Sequence, residues 1–337
     1  MSIVRRVLVA SFYNREAIAP ALERLAEHAE VIMGNDFGRN LTEDELIERL
    51  SDCPVVIAAD EPYTQRVFQA APELQLIARD GVGFDRIDLQ AATRHSVIAN
   101  NAPVVHEAAA DLTFGLILAT VRRIVVADRG VRAGQWADRD AYLSSGVHGK
   151  TLGILGLGRV GRAVARRASG FDMNVIAYDV AADPAVAEEL GVQLVQWDVL
   201  LSSAGIISLH VPLTAQTSNM IDEQAISQMK DGAYLINASR GEVVDQDALL
   251  AALRNGKLAG AGLDVLRQEP PAEDDLLLQL ENVVLTPHIG SDTVDTFAQV
   301  FTTVVADILL LFERRRPRHV LNPEVLRHER FAQLDVS

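Results

Sequence analysis

The segment Gly156-Leu157-Gly158-Arg159-Val160-Gly161 leaves this 337-residue chain the least choice of fold. Its spacing is G-x-G-x-x-G, an apolar run Thr151–Leu155 precedes it, and a helical pattern over Val160–Ala168 comes after. In that setting each glycine has a separate task. Gly156 allows the tight turn out of a strand, Gly158 lets backbone approach a pyrophosphate, and Gly161 lets helix and strand pack closely. The helix start then offers N–H groups and partial positive charge to phosphates. Glycine-rich turns of this spacing also occur without a ligand, so the flanking strand and helix carry the reading more than the glycines do.

The rest of the chain repeats the same alternation of short apolar runs and amphipathic stretches, the pattern of a parallel sheet covered by crossover helices. Around the glycine loop the sequence predicts strands at 152–155, 174–178, 206–209, 233–236, 260–263 and 283–285, six strands of a complete dinucleotide-type sheet. Ahead of it a smaller doubly wound unit is expected. Its strands fall at 7–10, 29–33, 55–58, 76–79 and 97–99, with helices at 15–27, 42–50 and 63–70. Thr42-Glu43-Asp44-Glu45 has the form of a capping box.

Pro103 interrupts this first unit, since it disfavours helix at Ala102 and suits the first turn of a new helix. A long apolar helix, 105–121, then leads into a second helical stretch ending at Gly134 and an arm bearing Trp136. A last helical pattern, 293–312, is long enough to return to the first unit. The expectation is α/β with two doubly wound parallel-sheet domains. A Rossmann domain (103–292) would be inserted into a smaller flavodoxin-like domain (1–102 and 293–337).

Composition narrows the function. The formal net charge of −15 repels a phosphate backbone, which argues against nucleic acid as a partner. The basic cluster Arg314, Arg315, Arg316 and Arg318 comes after an apolar helix, where cations suit the negative end of the helix dipole. The single cysteine, Cys53, excludes an internal disulfide or a cysteine-based metal cluster, and its place at the mouth of an apolar strand reads as buried filler. No metal site is expected. The first apolar run is too short for a signal-peptide core, and the longest apolar stretches carry Asp111 and Asp307, so a cytoplasmic protein with no membrane partner is expected.

Asp179 ends the strand after the glycine loop, 18 residues past Gly161. A carboxylate there accepts hydrogen bonds from an adenosine ribose and repels a 2′-phosphate, which favours NAD over NADP. It also reads as a plain turn-starting aspartate before Asp183-Pro184.

Three further segments each come directly after a predicted strand, where ligands bind in open α/β sheets. They are Asn237-Ala238-Ser239-Arg240-Gly241, Asp264-Val265-Leu266-Arg267-Gln268-Glu269-Pro270-Pro271 and Thr286-Pro287-His288-Ile289-Gly290. Together they supply a hydride-transfer set. Arg240 can grip a carboxylate with two parallel hydrogen bonds. His288 can exchange a proton with a reacting oxygen near neutral pH, and Glu269 can orient it. Singly these residues also read as a surface ion pair, a satisfied histidine and a solvated acid. Their joint placement at three strand ends favours the catalytic reading.

With these segments, and with Arg79-Asp80-Gly81-Val82-Gly83-Phe84-Asp85-Arg86-Ile87-Asp88 in the first unit, the chain resembles the NAD-dependent D-2-hydroxyacid dehydrogenases, nearest the phosphoglycerate, glyoxylate and hydroxypyruvate reductase branch. The resemblance implies Arg240, Glu269 and His288 as the catalytic residues. It implies cofactor contacts at Gly156, Gly158, Arg159, Val160, Gly161 and Asp179, at Val211, Pro212 and Thr217 near the adenine, and at Ala238, Arg240, Asp264, His288 and Gly290 near the nicotinamide. It implies that the backbone N–H groups of Val82 and Gly83 bind the carboxylate of a 2-oxo or 2-hydroxy acid, in company with Arg240 and His288. His106 stands either as a specificity residue or as a helix-start side chain. A homodimer through the NAD-binding domain is implied too. Two other readings share the architecture: a formate or phosphite dehydrogenase, and a non-catalytic NAD-sensing protein of the corepressor kind.

Overall fold

The computed structural model describes residues 5–11, 15–34, 39–137 and 139–335. The chain divides into two units, Met1–Val105 with Ser291–Ser337, and His106–Gly290.

In the first unit the order is β1 (Arg6–Val9), α1 (Arg15–Ala26), β2 (Glu30–Met33), α2 (Glu43–Leu50), β3 (Val55–Ala58), α3 (Gln65–Ala70), β4 (Leu76–Arg79), α4 (Leu89–Arg94) and β5 (Ile98–Asn101). Among the described residues these strands form a parallel sheet of order β2-β1-β3-β4-β5, the flavodoxin-like order. Both faces are covered, which is why β3 and β4 are buried at every position instead of alternating. The capping box forms as expected: Thr42 accepts from the Glu45 N–H while the Glu45 carboxylate accepts from the Thr42 N–H at 2.8 Å. Cys53 is buried, and burial pushes its thiol up to about 11.

The second unit runs α5 (His106–Val121), α6 (Ile124–Arg132), β6 (Thr151–Leu155), α7 (Arg159–Ser169), β7 (Asn174–Tyr178), α8 (Pro184–Glu189), β8 (Gln193–Leu194), α9 (Trp197–Ser203), β9 (Ile206–Leu209), α10 (Glu223–Gln228), β10 (Ala233–Asn237), α11 (Gln246–Arg254), β11 (Leu258–Leu263) and β12 (Val283–Leu285). Its parallel sheet has the order β12-β11-β10-β9-β6-β7-β8, a Rossmann order in which the chain reverses direction across the sheet between β6 and β9.

Two elements escape the sequence pattern. The edge strand β8 has two residues, both exposed, and so carries no apolar alternation to read. The short helix α4 is announced only by its cap, where Asp88 accepts from the Ala91 N–H. The helix expected from residue 63 begins at Gln65, because Tyr63 is fully buried in an extended bridge to Ile87 and Thr64 serves as the cap.

The chain re-enters the first unit through α12 (Val294–Phe312), a helix long and apolar enough by composition to cross a membrane. Here it is a core helix. Val300, Phe301, Val304 and Ile308 pack with Ile18 and Leu25 of α1 against Val9, Ile57 and Leu76 of the sheet. Each such side chain contributes about 1.5–3 kcal/mol on burial. Asp307, fully buried within it, accepts from Asn100 Nδ2 at 2.7 Å and Arg318 Nε at 3.0 Å, so its charge is compensated. In the basic cluster after α12, Arg314 donates to Gln333 and Arg315 lies 3.5 Å from Glu313.

Candidate active site

The register of the second sheet explains why distant segments share one edge. Asn237 lies beside Leu263, and Leu263 beside Leu285, so the chain leaves three neighbouring strands at the same level. Arg240, Asp264 and His288 each stand within three residues of those ends.

Asn237 shapes the first exit. Its amide donates to the Arg240 carbonyl at 2.8 Å, and its Oδ1 accepts from the Ser239 N–H and hydroxyl at 3.0 and 2.8 Å. The turn thus formed launches Arg240, which is half-buried and donates to the Ser239 carbonyl at 2.7 Å. Gly241 is required next to it, because a Cβ there would fall 2.0 Å from the Leu266 carbonyl oxygen. That close approach seats the arginine turn against the loop carrying Glu269.

The second and third exits are tied by Asp264. Its buried carboxylate accepts from Thr286 Oγ1 at 2.6 Å, the Ile289 N–H at 2.9 Å and the Gly290 N–H at 2.8 Å, while its carbonyl accepts from the His288 N–H at 2.8 Å. His288 is held at φ +54°, a left-handed conformation that costs a non-glycine residue about 1 kcal/mol or more and persists only where surroundings impose it. Its Nδ1 lies 2.8 Å from Glu269 Oε2, and the other carboxylate oxygen of Glu269 accepts from the Leu266 N–H at 3.0 Å. The acid is therefore fixed at both oxygens and the imidazole aimed by it. With Nδ1 engaged, proton exchange with a ligand falls to Nε2. The organising role of Asp264 was not legible beforehand, since nothing in a lone aspartate after a strand announces three acceptor contacts.

At the glycine loop, Gly156 takes φ +92°, and a Cβ on Gly161 would sit 2.1 Å from the Gly156 carbonyl oxygen. Among the described residues no side chain caps α7 at Gly158, and a Cβ on Gly158 would meet nothing within 4 Å. A helix N-terminus opening onto unfilled space fits a pyrophosphate, with Arg159 and Val160 in its first turn. Asp179 Oδ2 accepts from the Leu157 N–H at 2.6 Å and Oδ1 from the Ala181 N–H at 2.7 Å, so this acid also braces the loop, and each oxygen keeps a lone pair for a ribose hydroxyl. Thr217 accepts from the Thr214 N–H and donates to the Pro212 carbonyl, closing the turn that carries Val211 and Pro212. Ala238 is half-buried beside Asn237. The N–H of Gly290 is engaged by Asp264, which leaves its carbonyl for other contacts. His210, absent from the sequence-derived set, backs this loop: its carbonyl would meet a Cβ on Gly156 at 2.6 Å, and its ring lies 2.9 Å from Ser208 Oγ.

His106 opens α5. Its Nε2 is 3.7 Å from Glu107, and its buried Nδ1 has no hydrogen-bond partner among the described residues.

In the first unit, Val82 and Gly83 lie on the loop after β4, and their N–H groups donate to no group among the described residues. Val82 is 41% exposed. Two successive unengaged N–H groups on one turn suit a carboxylate. Buried acids follow β3 and β4. Burial pushes the Glu61 carboxyl up to about 8 and that of Asp80 up to about 6.

Residues 114–290 match the family model described as the NAD binding domain of D-isomer specific 2-hydroxyacid dehydrogenases. A glyoxylate reductase of Korarchaeum cryptofilum is 42% identical over 322 residues, spanning 94% of this chain and 96% of that protein. A D-3-phosphoglycerate dehydrogenase of Archaeoglobus fulgidus is 38% identical over 319 residues, again 94% of this chain but 59% of its own longer sequence. Among solved structures, the D-lactate dehydrogenase of Aquifex aeolicus with NAD and lactic acid superposes with a TM-score of 0.81 at 29% identity, covering 92% of this chain and 96% of that one.

Proposed function

The chain belongs to the D-isomer specific 2-hydroxyacid dehydrogenase family, and we propose that, within it, the substrate is a small unphosphorylated 2-oxo acid of the glyoxylate or hydroxypyruvate kind. It is an NAD-linked oxidoreductase of 2-hydroxy and 2-oxo acids. The choice of an unphosphorylated acid is supported by the higher identity to a glyoxylate reductase, 42%, than to the phosphoglycerate dehydrogenase, 38%.

The observation that carries the mechanism is the His288–Glu269 pair at 2.8 Å, made between the segments that leave β12 and β11, with Arg240 leaving β10, the strand on the other side of β11. NADH, when bound, supplies the hydride that reduces C2. Gly156, Gly158, Gly161 and the start of α7 hold its pyrophosphate, Asp179 its ribose, the 211–217 turn its adenine side, and Ala238, Asp264 and Gly290 its nicotinamide side. In reduction His288 gives a proton from Nε2 to the C2 oxygen, while Glu269 stabilises the imidazolium beforehand and holds the ring in place. Arg240 pairs with the substrate carboxylate and draws electron density from the carbonyl. The Val82 and Gly83 N–H groups are carboxylate-binding donors of the first unit, and His106 borders the substituent on C2.

The test is a panel of glyoxylate, hydroxypyruvate, phosphohydroxypyruvate and pyruvate, each assayed with NADH and NADPH. Glyoxylate or hydroxypyruvate with NADH should give a kcat/KM at least about 10-fold above phosphohydroxypyruvate and above the same acid with NADPH. A preference for phosphohydroxypyruvate would overturn the substrate reading, and equal rates with NADPH would overturn the role of Asp179.

A cytoplasmic homodimer completes the reading. In the second unit, α6 and the arm after it expose Ile124, Val131, Trp136 and Leu143, with Trp136 and Leu143 about three-quarters accessible, an apolar patch suited to a second copy. Sedimentation at twice the chain mass is expected, and Trp136→Glu with Leu143→Glu should return it to a monomer. A native species of one chain mass would contradict the dimer.

A further inference from the structure

A trans peptide is planar, so the direction of each N–H is set by the carbonyl of the residue before it. In the loop after β4, that makes the Gly81 carbonyl the handle for the Val82 N–H, and the Val82 carbonyl the handle for the Gly83 N–H. Both handles are held. The Gly81 carbonyl accepts from the Ala102 N–H at 3.1 Å, and the Val82 carbonyl accepts from Asn101 Nδ2 at 2.8 Å. The next carbonyl, of Gly83, accepts from Arg79 Nε at 3.1 Å. Three successive carbonyls are thus turned into the first unit, and the N–H groups of Val82 and Gly83 face the other way.

The holders are themselves built in. Asn101 is buried at the end of β5, on the strand beside β4 and in register with Arg79. Arg79 is buried, and its guanidinium lies against the loop backbone, where a Cβ on Gly81 would come 2.9 Å from Nη1. Its Nη2 donates to Asp60 at 2.7 Å and its Nη1 to Asp80, whose other oxygen accepts from Ser11. A buried guanidinium needs such a counter-ion, because an unpaired charge there is costly.

We propose that Asn101, together with Arg79 and its buried counter-ion Asp80, aims the Val82 and Gly83 N–H groups at the substrate carboxylate, making Asn101 and Asp80 positioning residues of the reaction. This rests on the reading of Val82 and Gly83 as substrate contacts. Neither Asn101 nor Asp80 touches the substrate. Their loss therefore weakens substrate capture without changing the proton donor or the cofactor site.

The experiment measures KM and kcat for glyoxylate, and NADH binding by fluorescence, in Asn101→Ala, Asp80→Asn and Val82→Pro. Asn101→Ala should raise KM about 10-fold while kcat stays within about 3-fold and NADH affinity is unchanged. Asp80→Asn keeps the size and removes the charge that anchors Arg79; it should raise KM in the same direction, and it stands in if Asn101→Ala does not fold. Val82→Pro deletes an N–H outright and separates the two ideas. If it raises KM while both other variants stay within about 2-fold of the native KM, the loop binds substrate but is not aimed by these residues, and the proposal falls alone. If Val82→Pro leaves KM unchanged, the substrate-contact reading falls and takes the proposal with it. Loss of kcat and KM together with weakened NADH binding would mark a general structural role and would also overturn the proposal.

Discussion

Replacing His288 with glutamine lowers kcat for glyoxylate or hydroxypyruvate by about 10²–10⁴-fold, the usual worth of a positioned general acid, and leaves NADH binding close to native. Glutamine keeps a similar reach but cannot carry the transferable proton. The backbone reason for expecting a clean effect is that His288 is placed by its own N–H and φ, both fixed through Asp264, so the segment keeps its course when the side chain changes. Glu269→Gln should give a smaller loss, because it removes the charge that supports the imidazolium and spares the proton donor itself. Stopped-flow absorbance at saturating NADH reads the step directly. Full activity in His288→Gln would remove His288 from the mechanism.

Arg240→Ala is the second large expectation. Two hydrogen bonds from a guanidinium to a carboxylate are each worth about 1.5–3 kcal/mol, which converts to a loss of about 10²–10⁴ in kcat/KM when both disappear. Arg240→Lys should recover only part of this, since an ammonium supplies the charge without the planar fork. The loss should appear in kcat as well as KM, because a substrate held by one end only presents C2 in many orientations. Steady-state kinetics across a wide substrate range separates the two. A kcat/KM within about 3-fold of native in Arg240→Ala would contradict its assignment.

Much of this architecture was legible because its signals are local. The glycine loop, the flanking strand and helix and the capping box at Thr42 depend on residues a few positions apart, and apolar runs buried on both sheet faces stand out in any reading. The pairing of Glu269 with His288 was legible only through the rule that ligands gather at strand ends, since the two lie 19 positions apart. The features that stayed hidden depend on contacts between distant segments. Asp264 as the hub of the His288 loop, Asp179 as a brace for Leu157, and Asn101 as the holder of the Val82 carbonyl are ordinary polar residues in sequence. Nothing in the residues flanking Asn101 reveals that its amide reaches back 19 positions, past α4, to the loop after β4. The exposed strand β8 was missed for the opposite reason, having no buried face to leave a pattern.

The same distinction separates two uses of charge. A net −15 gives the chain no long-range attraction for an anionic substrate, so the proposed binding rests on local donors: Arg240, two backbone N–H groups and one helix N-terminus.

If Arg240, Glu269 and His288 act as described, this chain passes a hydride between NAD and C2 of a 2-oxo acid, with D stereochemistry at the product carbon. A single turnover of the purified protein with NADH and hydroxypyruvate, with chiral chromatography of the product, puts that to the test in one step. The expected result is one D-glycerate formed for each NADH oxidised. Formation of L-glycerate, or NADH that binds yet is consumed with no member of the 2-oxo acid panel, would contradict it.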